Sequence, residues 1–176
     1  KGAGGDGIQP ILTASMVDFM RAEAALTRGT GEDARAKLDT AMAKSMRYVK
    51  SYSESIGTLG DPATTGAGAV DKFDRSVKNY KANVLAAYDA ASADGKLNIV
   101  VKEFRLALWG NGNEAWNVMR RTGKPNIDLQ RAREADHGDF PRLFPYPSDY
   151  VNLNANATQQ LMTTTVFWDT NGGSLR

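Results

Sequence analysis

The sequence predicts a mainly α-helical chain that ends in a long irregular segment. Three observations lead there. Apolar residues recur at three- and four-residue steps in five stretches, Gly- or Asn-rich breaks separate those stretches, and after Pro125 the period vanishes while proline and aromatic content rises. The helical region is expected over about residues 11–123 and the irregular tail over 124–176, in one domain or a large piece of one.

Residues 13–28, TASMVDFMRAEAALTR, set Met16, Phe19, Met20, Ala24 and Leu26 over a broad helical stripe, with Thr13 or Ser15 able to cap it. Gly29 and Gly31 end it. From Glu32 to about Ile56, Ala34, Leu38, Ala41, Ser45, Tyr48, Tyr52 and Ile56 mark a second amphipathic helix, close enough to pack on the first as an antiparallel hairpin. GTLGDPATTGAG, residues 57–68, is a loop by composition. Val70, Phe73, Val77, Tyr80, Val84 and Ala91 give a third helix, and ADG at 93–95 breaks it. Leu97, Val100, Val101, Phe104, Ala107 and Leu108 mark a fourth. Its NIVV run would suit a strand, but its length and the charged positions Lys102, Glu103 and Arg105 favour a helix. The fifth lies in GNEAWNVMRRTGKPN, residues 112–126, preceded by Asn111. Asn111 or Asn113 can cap it, Glu114 sits at capping-pair spacing from Asn111, and Gly123 with Pro125 stops it.

Four of the six prolines and six of the fifteen aromatic residues lie beyond residue 123. Disordered tails are poor in aromatics, so this one is expected to be pinned to a surface by Phe140, Phe144, Tyr146, Tyr150, Phe167 and Trp168.

Composition excludes several function classes. With 22 Lys and Arg against 20 Asp and Glu and no basic cluster, a nucleic-acid partner is not expected. The absence of cysteine rules out disulfides, thiolate metal sites and a cysteine nucleophile within these residues. No apolar run approaches the roughly 20 residues that span a bilayer. The opening KGAGGDG has neither a signal-peptide core nor an initiator Met, so the natural start is expected upstream.

The run LALWGNGNEAWNVMRRTGKPN, then FPRLFPYPSDYVNLN with Arg142, Tyr146 and Pro147 in an R-x-x-Y-P-like element, then TTTVFWDT, form an ordered set. Together with PILTASMVDFMRAEAALTRG and its AEAAL centre, that set closely resembles the C-terminal part of the SusD/RagB family of nutrient-binding outer-membrane lipoproteins of Bacteroidetes. The resemblance implies tetratricopeptide-like helical hairpins followed by an irregular segment packed on the helices. It implies capture of oligosaccharides or other nutrients, without catalysis or cofactor, at the cell surface with a SusC-like TonB-dependent transporter. A lipid anchor would lie outside this chain. It assigns no binding residue here. The alternative reading is a helical-repeat scaffold for protein partners.

Sugar sites set exposed aromatic faces against the apolar side of a pyranose, flanked by planar polar groups. Tyr146, Tyr150 and Trp168, near Asn152, Asn154, Asn156 and Asp169, are the ligand-binding candidates on that chemistry. Trp109 and Trp116 sit beside apolar helical positions and are expected in the core, and Arg120 and Arg121 are expected to clamp the end of the fifth helix. His137, between Asp136 and Asp139, has no second histidine and reads as solvated loop. No carboxylate pair stands in a recognisable hydrolase context, and GAGGDG lacks the GK[ST] ending of a phosphate loop.

Overall fold

The computed structural model describes residues 7–56, 67–126 and 140–171, with side chains from 72 onward in the middle stretch. Six helices form, and no strand occurs among the described residues: α1 (Ala14–Arg28), α2 (Ala34–Ser55), α3 (Ala67–Ala90), α4 (Ala93–Ala107), α5 (Gly112–Thr122) and α6 (Ser148–Leu153). The chain is mainly α, as its periodicity predicts. It divides into two compact units, Lys1–Ala115 and Trp116–Arg176.

In the first unit the caps set the helix ends. Thr13 Oγ1 accepts from the Met16 N–H at 3.4 Å, and Gly29 stops α1 in the left-handed region at φ 62°. Asp33 accepts from the N–H groups of Arg35 and Ala36 to open α2. Ser92 Oγ caps α4 through the Gly95 N–H at 3.2 Å. Here the structure corrects the reading of ADG as a breaker. The break falls at Ala91 and Ser92, and ADG is the first turn of α4, where Asp94 suits the positive end of the helix dipole. The helix α3 likewise starts at Ala67, inside the stretch expected as loop; residues 57–66 lie outside the described residues.

Ion pairs give the register. Lys50–Asp74 and Lys81–Asp39, both at 2.9 Å, and Arg35–Asp89 at 2.6 Å link positions that rise along α2 to positions that fall along α3, so the two run antiparallel. Tyr80 to Glu103 and Lys96 over the Tyr88 ring do the same for α3 and α4. Helix α1 packs on α2 and on α4. Phe19 of α1 and Phe104 of α4 stack at the centre, with centroids 5.3 Å apart and planes 13° from parallel. Met16, Ala22, Leu38, Ala41, Met42, Val84, Tyr88, Val100, Val101 and Leu108 fill the space around them. The buried face of α1 is rotated from the expected stripe: Met20 is exposed, while Asp18 and Glu23 are buried. Asp18 tolerates this because Lys44 of α2 reaches it at 2.5 Å.

Helix α5 has the expected ends. Asn111 Oδ1 accepts from the Glu114 N–H at 3.1 Å, and Gly123 at φ 66° closes it before a cis Lys124–Pro125 bond. In the second unit the tail departs from expectation twice. It forms a short helix, α6, entered through Pro147 with Asp149 in its first turn. Two of the expected anchors are also largely exposed: Phe167 at 99% and Phe144 at 76%. Buried polar groups hold the segment as well. Arg142 Nη1 donates to Asp169 Oδ2 at 2.6 Å, with both side chains buried, and Asn171 Nδ2 donates to the Arg120 carbonyl at 2.6 Å. A hydrogen-bonded ion pair fixes direction as well as position, which a ring sliding on an apolar face does not.

Candidate functional site

Tyr146 and Tyr150 come together. Tyr146 precedes Pro147, and Tyr150 lies on α6. Their rings stand 5.4 Å apart at 57°, and they remain 46% and 49% exposed. The Tyr146 backbone is held by a side chain: Gln159 Oε1 accepts from the Tyr146 N–H and Gln159 Nε2 donates to the Tyr146 carbonyl, each at 2.9 Å. A side-chain amide that matches both backbone groups fixes Tyr146 as a neighbouring strand would. Asn152 and Asn156 are exposed nearby in the chain, and Asn154 Oδ1 accepts from the Asn156 N–H at 3.0 Å.

Trp168 packs on Arg120. Its ring lies over the Arg120 guanidinium at 4.5 Å, and the Trp116 ring covers the same guanidinium at 3.5 Å. Arg120 therefore carries two indoles while it donates through Nη1 to the Arg142 carbonyl and through Nη2 to Asn117 Oδ1. Its Nε is buried without a partner. Burial lowers the Arg120 pKa from its ordinary value, and the Asp169 charge opposes that shift. Arg120 was expected to clamp the end of α5 through its last carbonyls; its donors go to the Arg142 carbonyl and Asn117 instead, and its ring contacts tie α5 to the tail. Trp116 is an anchor, as expected: its Nε1 donates to the Pro141 carbonyl at 2.6 Å, and its ring meets Phe144 at 5.0 Å. Asp169 is committed to Arg142 and so cannot flank a sugar face at Trp168. His137 and its two aspartates lie outside the described residues.

The first unit holds a cleft of about 400 Å³ that the sequence reading did not identify. The segment 7–13, the C-terminal half of α2 and the turn after α4 line it. Tyr48, Tyr52 and Trp109 supply its aromatic surface. Trp109, expected in the core, is 89% exposed, because it stands beyond Leu108 where α4 has ended and the helical period no longer chooses its face. The wall opposite α2 is fixed: Gln9 Nε2 donates to the Gly110 carbonyl at 2.9 Å, and Asn111 Nδ2 donates to the carbonyls of Pro10 and Ile11 at 3.0 and 3.3 Å. Gly110 makes the turn at φ 87° against Pro10.

Comparison with known protein families gives a match over residues 5–147 to the SusD-like model described as starch-binding and associating with the outer membrane. The chain belongs to this SusD-like family. Neither the curated proteins nor the solved structures include a match. The matched span of this SusD-like chain includes all of α1 to α5 and the cleft, and it ends at Pro147, between Tyr146 and Tyr150. No described helix is long and apolar enough to cross a membrane. What sequence reasoning missed in this SusD-like chain is the cleft. Its one legible signal was that Ser45, Tyr48 and Tyr52 continue the α2 stripe with polar-tipped side chains where a core would carry Leu or Ile.

Proposed function

We propose that this SusD-like protein captures oligosaccharides or related nutrients at the bacterial cell surface, without catalysis, and delivers them to a SusC-like TonB-dependent outer-membrane transporter. On this reading the 176 residues are the C-terminal part of a larger protein held by a lipid anchor outside them, and the tail from residue 124 packs on the end of α5. The observation that carries the reading is the pair of half-exposed tyrosine rings, Tyr146 and Tyr150, with the Tyr146 backbone held by Gln159, on a chain of a starch-binding family. Two rings fixed at an angle offer a stacking face and two phenolic hydroxyls at little ordering cost, which is what a glycan of amphipathic faces requires. Trp168 adds the indole surface that Arg120 leaves uncovered.

Isothermal titration against a panel of oligosaccharides tests the reading. Binding is expected to weaken about tenfold in the Tyr146→Ala/Tyr150→Ala variant, as for loss of two aromatic contacts of about 0.5–1.5 kcal/mol each. Silence across a broad panel of neutral and charged glycans would sink it. Recovery of the transporter from outer membranes on a tagged copy of the full-length protein tests the partner.

A further inference from the structure

We propose that the uncharged face around the cleft of the first unit is where two copies of this chain associate, about a two-fold axis. Trp109, Ile11 and Leu12 of one copy seat against the cleft of the other, and the contact is reciprocal. The inference stands apart from the glycan reading, because no residue it uses belongs to the Tyr146 and Tyr150 pair.

Three observations carry it. The face is apolar and continuous: Ile8, Tyr48, Val49, Leu106 and Trp109 all line the cleft, and Ile11 and Leu12 stand between its lining residues Pro10 and Thr13. These side chains are open to water, from 40% at Tyr48 through 65% at Leu12 and 81% at Ile11 to 89% at Trp109. At such exposures the seven offer on the order of 700 Å², above the roughly 300–600 Å² of a typical monomer's largest apolar patch and near the about 800 Å² that each partner gives a standard interface. The face is also firm. Three hydrogen bonds tie residues 9–11 to Gly110 and Asn111, so little ordering entropy opposes association.

Chemistry and shape together choose the occupant. Among the described residues that line the cleft none carries a charge, Thr13 and Ser15 bond each other at 2.8 Å, and Tyr52 is already engaged within the chain. The lining therefore calls for an apolar occupant, and a partner selected by charge complementarity has nothing here to read. The same face supplies what such an occupant needs. It carries a hollow of about 400 Å³ and, beside it, the exposed side chains of Ile11, Leu12 and Trp109. A surface with both meets a copy of itself in a closed isologous contact, in which each copy gives its projection and receives the other's.

Sedimentation velocity on the chain and on a soluble form of the full-length protein tests the proposal. A dimer in reversible equilibrium with monomer is expected in both. Trp109→Asp and Leu12→Asp are each expected to weaken it at least about thirtyfold, as for a central interface residue, while Phe167→Asp, at a ring 99% exposed in the second unit, leaves it unchanged. Trp109 and Leu12 are exposed, so the variants keep the core, and an unchanged far-ultraviolet spectrum checks that. A monomer up to the solubility limit overturns the proposal. So does a dimer that survives both variants or is lost in Phe167→Asp, since the contact then lies elsewhere. Growth beyond the dimer overturns the closed two-fold contact. A dimer of the chain that is absent from the full-length protein also overturns it, by showing that residues upstream cover the face.

Discussion

Asp169→Asn removes one charge and almost no volume from the second unit. Asp169 and Arg142 are each about 95% buried, and Asp169 accepts from Arg142 Nη1 at 2.6 Å and from the Asn171 N–H at 3.1 Å. The substitution takes the Asp169 charge away from a buried guanidinium. Breaking such a pair costs about 3–5 kcal/mol, a large share of the 5–15 kcal/mol that holds an ordinary domain. With a urea dependence of roughly 2 kcal/mol/M, the unfolding midpoint should fall by about 1.5–2.5 M. Fluorescence is the assay, since Trp116 and Trp168 both lie in this unit and both stack on Arg120. A second arm separates the lost pair from general damage. In Arg142→Met/Asp169→Asn the buried positive charge is gone as well, so the double variant should be more stable than Asp169→Asn alone by at least about 1 kcal/mol. A midpoint shift below about 0.3 M, or two single effects that simply add, would refute the assignment of this pair as the anchor of the tail.

Three further outcomes follow from the same geometry. Phe19→Ala should cost about 3–5 kcal/mol in the first unit, because its fully buried ring stacks on Phe104; a loss under about 1 kcal/mol by denaturation would show that the centre of the core lies elsewhere. Gly123→Ala should destabilise by about 1 kcal/mol or more, since φ is 66° and the new methyl would sit 3.2 Å from Asn171 Oδ1; unchanged or raised stability contradicts it. Glu32 and Asp89 are held below their ordinary carboxylate values of 4.5 and 3.8, first by hydrogen bonds from Arg21 and Arg35. A depressed folded pKa stabilises fully above the unfolded value and loses that contribution as pH falls through the folded one. The melting temperature of the chain should therefore exceed that of Arg21→Ala/Arg35→Ala at about pH 6, and the gap should close toward about pH 2; a gap that stays constant argues against these pairs.

How legible the fold was depended on whether local chemistry settled each feature. Thr13, Asn111, Gly29 and Gly123 act within one helical turn, and there the sequence reading placed the ends of α1 and α5 correctly. Gly95 failed the same reasoning because a glycine is a breaker only when nothing caps the turn around it, and the Ser92 hydroxyl does. The buried stripe of α1 was read correctly at Met16 and Phe19 but extended to the wrong side at Met20, because hydrophobicity alone assigns Asp18 and Glu23 outward. Lys44, 26 residues away, makes Asp18 acceptable inside.

The candidate site was less legible, for a related reason. Aromatic content says that rings will be used, but not whether each is used as an anchor or as a face. That choice is made by partners far away in the chain. Trp116 is an anchor because the Pro141 carbonyl meets its indole N–H and Arg120 covers its ring; Trp168 shares that guanidinium. Trp109 was grouped with Trp116 by its apolar neighbours, yet it sits one residue beyond Leu108, and there Gly110 turns the backbone away from the core that Leu108 enters. The distinction between anchor and face lies in the hydrogen bond to the indole nitrogen. A tryptophan whose N–H meets a backbone carbonyl is part of the fold, and one left exposed beside a preformed cleft is available to a partner.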